Sequence, residues 1–331
     1  MLAQSPRESG YKPGDEATAA PPRVTVVIPA FNVAPFIAET LDSVFAQTFR
    51  DFEVVLVNDG STDTTELEGA LAPYRSRLRY LTQGNLGAAE ARNTAIRAAR
   101  GELLAFLDGD DIWLPEFLQA QCDVLDREAL DMVYSDALLF GRGPTSGKTY
   151  MTLSPSTGTP TFERLIDSSC HPITSGTLVK RACVVEAGLF DKTLVRGQDA
   201  EMWMRLAFRG AKIGYQTRVL LKYRMRGGSL SGNAVDRVQR EIRVYTRILE
   251  GYDLSQGQRE LIAQQLERLT AQDELEQGKR ALLEGRPGLG LDHLRRANRY
   301  LRTTKLTAAI RLGTLSPGLL RLVFLASRPR I

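Results

Sequence analysis

Short apolar runs alternate along the first two thirds of the chain with stretches whose apolar positions recur every three or four residues. Val24-Thr25-Val26-Val27-Ile28 is a β-branched run, the pattern of a buried strand, and Pro29 is expected to close it because proline cannot donate to a ladder. Pro35 then opens a helix with Ile37, Leu41, Val44 and Phe45 on one face. Glu53 to Val57 predicts a second strand, followed by the polar turn Asn58-Asp59-Gly60-Ser61-Thr62-Asp63. Asp63 is suited to cap a helix running to about Leu71. A short strand near Leu78–Leu81 and the turn Gly84-Asn85-Leu86-Gly87 lead into an alanine-rich helix, Ala88 to Arg100, ended by Gly101. Leu103 to Leu107 predicts a strand buried on both faces. A helix follows from Trp113 and Pro115 to about Arg127, then a strand at Met132–Tyr134. Further on lie a helix from Gln198 and a strand over 219–224.

This alternation predicts an α/β fold: a doubly wound, mostly parallel sheet with right-handed crossovers. It covers residues 23–235. Residues 1–22 show no periodicity and read as a mobile tail. Residues 141–161 are rich in Gly, Pro, Ser and Thr and read as a flexible loop, either a lid or a plain surface excursion. Cys170–Val179 and Gly188–Asp191 read as short connections. Residues 236–300 become helical, with Val238, Ile242, Tyr245, Ile248 and Leu249 sharing a face, as in a helical appendage such as an αα-hairpin. Residues 301–331 form a last basic amphipathic segment.

Composition narrows the function classes. A chain of 331 residues allows one large α/β domain with an appendage. The formal net charge of +4 points to no nucleic acid. Three cysteines without C-x-x-C spacing fit a reducing compartment, so a cytoplasmic protein is expected. Two histidines rule out a His-rich zinc site. No apolar stretch approaches the roughly 20 residues of a membrane-spanning helix. Residues 302–331 hold Arg302, Lys305, Arg311, Arg321, Arg328 and Arg330, no acidic residue, and many leucines. Such a segment can lie on an anionic membrane from the cytoplasmic side, or pack as a helix with its basic side in water.

The densest chemistry is Phe106-Leu107-Asp108-Gly109-Asp110-Asp111, where an apolar run delivers three carboxylates to a strand end. Carboxylates this close repel one another unless a divalent cation sits among them. The plainer alternative is a solvated turn in which Asp108 or Asp111 caps the next helix. The strands ending at Ile28, Val57 and Leu107 all run into polar loops on one edge, where ligands bind in open α/β sheets. Asp199 sits near a helix N-terminus and is either a site residue or an ordinary cap. Arg224, Arg226, Gly227, Gly228 and Ser229 offer two guanidiniums and a glycine-rich turn suited to a diphosphate, or a solvated basic loop.

Together these pieces resemble family 2 glycosyltransferases: Val26 to Asn32, Leu41 to Thr48, Asn58 to Asp63, Ala91-Arg92-Asn93, Phe106 to Asp111, Gln198-Asp199, Tyr223-Arg224 and Ser229-Leu230-Ser231. The resemblance covers roughly residues 23–231 and implies an inverting enzyme of the GT-A fold that uses a nucleoside-diphosphate sugar and Mg²⁺ or Mn²⁺. It places Pro29, Phe31 and Asn32 on the loop that holds the nucleotide, and Asp59 at the base edge. It places Arg92 near the diphosphate, Asp108 near ribose and metal, Asp110 as the direct metal ligand, and Asp199 as the general base. A glycan or lipid-linked acceptor is implied.

Two positions depart from the family pattern. Gln198 stands where many relatives have Glu, which removes a like charge beside Asp199. Arg226 stands where many have a metal-ligating His, and a guanidinium cannot ligate a metal, so Arg226 is expected to meet the diphosphate directly. The Gln-x-x-Arg-Trp motif of processive members is absent, which implies one sugar per encounter. Two rivals remain. One is a non-catalytic nucleotide-sugar-binding or scaffolding subunit. The other, a nucleotidyltransferase, lacks a lysine-bearing glycine-rich loop after the first strand.

Overall fold

The computed structural model describes residues 7–8, 20–226 and 234–326. The chain divides into two compact units, 1–227 and 228–331.

The first unit runs β1 (Arg7–Glu8), β2 (Val24–Ala30), α1 (Ala34–Phe45), β3 (Phe52–Asp59), α2 (Thr64–Leu71), β4 (Arg79–Gln83), α3 (Ala88–Ala98), β5 (Leu103–Phe106), β6 (Ile112–Trp113) and α4 (Phe117–Arg127). It continues with β7 (Met132–Gly141), α5 (Tyr150–Leu153), α6 (Phe162–Ile166), β8 (Thr177–Lys180), α7 (Arg181–Glu186), α8 (Gln198–Phe208) and β9 (Ile213–Met225). The strands form one sheet in the order β1-β4-β3-β2-β5-β8-β7-β9-β6. β4, β3, β2, β5, β7 and β9 point one way, while β8 and the edge strands β1 and β6 run against them. The mostly parallel α/β expectation therefore holds.

Burial explains the apolar runs. Val26, Ile28, Val54, Leu56, Leu103 and Ala105 share a core with Ile37, Leu41 and Val44 of α1. Pro29 does not end its strand: β2 continues to Ala30, with Pro29 opposite Val57 and Ala30 opposite Asn58. β5 pairs β2 only as far as Val27–Phe106, so Pro29 has a ladder partner on one side alone and its missing N–H costs little. Residues 141–161, expected as one flexible loop, carry structure. Leu139 N donates to Lys148 O and Gly147 N to Leu139 O, folding the 142–148 turn back on β7. Thr149 and Thr161 then cap α5 and α6 by accepting from Thr152 N and Arg164 N. Of the tail expected over 1–22, Arg7–Glu8 form an edge strand against Leu81 and Thr82, and residues 1–6 and 9–19 lie outside the described residues.

The second unit is helical: α9 (Ala234–Gly251), α10 (Gln256–Leu283), α11 (Pro287–Leu301), α12 (Thr304–Leu315) and α13 (Pro317–Ala326). Ser255 and Gln258 form a reciprocal capping box that starts α10. Leu282, Leu291, Leu294 and Ala297 share a core with Leu306 and Leu320, so α12 and α13 pack into the same helical body as α10 and α11. Among the described residues no helix is long and apolar enough to cross a membrane.

Candidate active site

The site is assembled from loops at the carboxyl ends of β2, β3 and β5, and it closes with the end of β9. After β2, Phe31 is 42% exposed and Asn32 takes a positive φ of 53°. Asn32 Oδ1 accepts from Thr62 N and Thr62 Oγ1, and Asn32 N donates to Ser61 Oγ. These bonds stitch the β2–α1 loop to the β3–α2 loop. Asp63 precedes α2 but does not cap it; its Oδ2 accepts from Ala34 N, at the start of α1. The first turn of α1 was the better-placed donor once the two loops were brought together.

Asp59 is buried and fully engaged. Its Oδ1 accepts from Gln83 Nε2 and Leu86 N, and its Oδ2 from Gly87 N, each at 2.8 Å. The carboxylate therefore fixes the loop between β4 and α3. Gly60 lets that loop come close: its φ is +66°, and a Cβ there would lie 2.6 Å from Asn85 N. Since α3 starts at Ala88, Asp59 also sets the entry of the helix that carries Arg92.

Arg92 is 4% exposed, and its Nη2 donates to Asp108 Oδ1 at 2.6 Å. Its Nε and Nη1 are buried and meet no acceptor of the described protein. A buried guanidinium with unpaired donors is costly to keep and is the chemistry of an anion site. Gly109 packs under the end of β2, where a Cβ would lie 3.0 Å from Val33 Cγ2 and 3.3 Å from Pro29 O.

The three carboxylates after β5 have separate duties. Asp111 is buried; its Oδ2 accepts from Ser175 Oγ and its Oδ1 from Arg224 N. Burial, then the charges of Asp110 and Asp108, hold its carboxyl well above the usual range. Asp111 is thus the girder of the loop and caps no helix. Asp110 Oδ2 pairs with Arg226 Nε at 2.7 Å. Burial and the Asp108 charge raise its carboxyl too, against the pull of Arg226 and Arg224. Arg224 Nε donates to the Asp110 carbonyl and its Nη2 to Glu39. The ring of Phe36 lies under both guanidiniums, 4.9 Å from Arg224 and 5.1 Å from Arg226.

Asp199 is brought to this loop from far along the chain. Its Oδ2 accepts from Thr174 Oγ1 at 2.8 Å and its Oδ1 from Ala200 N. The next residue, Ser175, accepts from Asp108 N through Oγ, and its carbonyl accepts from Trp113 Nε1. Thr174–Ser175 therefore joins Asp199 to Asp108 and Asp111 through two adjacent hydroxyls. Sequence reasoning missed Thr174, Ser175, Glu39 and Phe36; they carry no motif and matter only through long-range contacts. Gly227, Gly228, Ser229, Leu230 and Ser231 lie outside the described residues.

Among the described residues no group of three His, Cys, Asp or Glu side chains converges as a metal cage. Asp108 and Asp110 each hold a guanidinium instead. Two neighbouring carboxylates fit a hard cation that takes its remaining ligands from phosphate oxygens and water, the usual arrangement for Mg²⁺. The residues therefore fit a divalent cation that takes only part of its ligands from the protein.

Residues 25–182 match the family model described as Glycosyl transferase family 2. An uncharacterized glycosyltransferase of Rickettsia bellii is 28% identical over 218 residues, 63% of this chain and 31% of that protein. The Escherichia coli UDP-Glc:alpha-D-GlcNAc-diphosphoundecaprenol beta-1,3-glucosyltransferase WfgD is 32% identical over 126 residues, 38% of this chain and 49% of its own. The chain spans about a third of the length of the first curated relatives it matches. Among solved structures, the Pyrobaculum calidifontis mannosyltransferase PcManGT, in complex with GDP-Man and Mn²⁺, aligns with a TM-score of 0.60 at 19% identity, covering 92% of this chain and 86% of its own. The fold is accordingly that of the GT-A glycosyltransferases.

Proposed function

We propose, from the premise that the chain belongs through residues 25–182 to glycosyl transferase family 2, that it transfers a sugar from a nucleoside-diphosphate sugar to a hydroxyl of a glycan or lipid-linked acceptor. The observation that carries this reading is the Thr174–Ser175 bridge, which sets a hydrogen-bonded Asp199 beside the Asp108–Asp111 loop.

The roles follow from the chemistry. Departure of a nucleoside diphosphate builds negative charge, which preorganised donors stabilise best. Arg92, Arg224 and Arg226 supply such donors. Mg²⁺ or Mn²⁺, held by Asp108 and Asp110, would add Lewis-acid neutralisation of the same charge. An acceptor hydroxyl is a weak nucleophile until a carboxylate takes its proton, the task of Asp199. Thr174 Oγ1 holds one oxygen of Asp199 and Ala200 N the other, which orients the carboxylate while each oxygen keeps a lone pair for the proton. A base facing the leaving group across the anomeric carbon gives one displacement with inversion and no enzyme nucleophile. Phe31, Pro29 and Asn32 frame the nucleotide, with the exposed Phe31 ring as a stacking face for the base. Asp59 acts on the base through the loop it fixes.

The donors and acceptor named for WfgD and PcManGT support a nucleotide-sugar donor, and WfgD supports a diphosphate-lipid acceptor; the reading extends to cell-envelope polysaccharide biosynthesis. Such an acceptor suits a protein placed peripherally on the cytoplasmic face, with residues 302–331 on anionic lipid. The rival, a non-catalytic nucleotide-sugar-binding or scaffolding subunit, draws on the Arg226 guanidinium seated on Asp110. The test is Asp199→Asn, assayed across a panel of nucleotide sugars. Nucleotide binding should persist while transfer falls by about 100-fold or more, the usual worth of a general base. Undiminished transfer would remove Asp199 as the base, and a wild type inert with every donor would favour the rival.

A further inference from the structure

Arg226 occupies the place on Asp110 that a cation would take. Its Nε lies 2.7 Å from Asp110 Oδ2, a charge-assisted contact with the carboxylate only 14% exposed. Arg224 cannot take that role: its Nε and Nη2 are engaged by the Asp110 carbonyl and Glu39, and its own N–H holds Asp111. Arg226 meets the Asp110 carboxylate and the face of Phe36. A guanidinium and a divalent cation on one carboxylate repel each other, and contact charges in a half-dry site are poorly screened. A diphosphate reverses the balance, because it offers Arg226 a bidentate partner of higher charge and offers the cation its missing oxygen ligands.

We propose that Arg226 is a resident counter-ion of Asp110 that the nucleoside diphosphate draws away, so that divalent cation and nucleotide bind together and the protein alone holds the cation weakly. This rests on the reading of Asp110 as a cation ligand. The exchange breaks the Asp110–Arg226 pair and forms an Arg226–diphosphate pair and an Asp110–cation contact, with no net loss of paired charge. By linkage, the factor by which nucleotide raises cation affinity equals the factor by which cation raises nucleotide affinity.

The test is calorimetric titration of Mn²⁺ into the full chain, alone and with saturating UDP or GDP. The wild type should bind Mn²⁺ at least tenfold more tightly with the matching nucleotide. Arg226→Gln should bind Mn²⁺ alone at least about fivefold more tightly than wild type, the worth of one contact charge even when water screens it fully. Arg226→Lys keeps the charge and should stay within about twofold of wild type, which separates charge from damage to the fold. Asp110→Asn gives the baseline. Unchanged or weaker Mn²⁺ binding in Arg226→Gln, with Asp110→Asn weaker still, overturns the counter-ion and leaves glycosyl transfer standing. Mn²⁺ binding indifferent to Asp110→Asn overturns the cation site itself, while transfer by the same preparation still reports separately on the enzyme reading.

Discussion

At the scale of single residues, Arg92 carries the clearest mark of an anion site. Its Nη2 is paired with Asp108, yet Nε and Nη1 are buried without an acceptor. Unpaired buried donors cost roughly 1–3 kcal/mol each, and hydrogen bonds to charged groups are worth about 1.5–3 kcal/mol. A ligand oxygen that meets these donors recovers both terms. Arg92→Gln should therefore raise the nucleotide Kd by about tenfold or more, while the melting temperature of the ligand-free protein changes little. Equal nucleotide affinity in the two proteins would show that the free donors face no ligand. The cysteines carry no comparable chemistry. Burial pushes the Cys122 thiol up to about 12, and Cys170 and Cys183 are raised for the same reason, so none is a thiolate nucleophile near neutral pH.

At the scale of elements, the site depends on loops that hold one another. The β2–α1 and β3–α2 loops are tied by Asn32, Ser61 and Asp63, and the β4–α3 loop is tied to β3 by Asp59. Gly60 sits at the crossing, with a positive φ and backbone 2.6 Å from where a Cβ would be. Gly60→Ala is expected to destabilise the fold by about 1–3 kcal/mol, from the left-handed conformation and the close approach together. Thermal unfolding should show that loss, and nucleotide binding should weaken with it as the Gly84–Gly87 loop shifts. A variant with wild-type melting and wild-type nucleotide affinity would mean the loops do not act as one unit. The Pro29 correction belongs to this scale as well. A strand's end is decided by its neighbours, and β2 lost β5 before it lost β3.

At the scale of the whole molecule, the end of the helical unit combines exposed leucines with basic side chains. Leu306 and Leu320 face its core, which leaves Leu315, Leu319 and Leu322 outside at 86%, 45% and 61% exposure. Lys305 and Arg311 are exposed on α12 and Arg302 just before it, and residues 302–331 contain no acid. Exposed leucines and cations on one segment are what an anionic bilayer would take up, with each nearby cation worth about 1 kcal/mol. The full chain should float with phosphatidylserine-containing vesicles at low salt, less so at high salt, and not with phosphatidylcholine alone. Leu315→Ser, Leu319→Ser and Leu322→Ser combined should abolish flotation while helical circular dichroism is kept. Flotation that survives this change would remove the membrane from the account.

The sequence by itself determined the sheet class and the site's raw materials. Buried parallel strands must be continuous apolar runs, and the loops that follow them must carry the polar chemistry, so Val24–Ile28, Glu53–Val57 and Leu103–Leu107 were readable in one dimension. The carboxylates at Asp59, Asp108 and Asp110 were visible for the same reason, because charge at the end of an apolar run is conspicuous, whereas Asp199, near a helix N-terminus, stood out through the family resemblance. Their division of labour was not visible. Asp111 became a structural girder, Asp59 a loop anchor and Arg226 the partner of Asp110 through contacts spanning up to 116 residues. Thr174 and Ser175 are ordinary hydroxyls in the chain, and they join Asp199 to the Asp108 loop only because β8 lies against β5. Pairing energies fall off within a few ångströms, so which polar group meets which is settled by the packed fold and leaves no periodic trace in the chain.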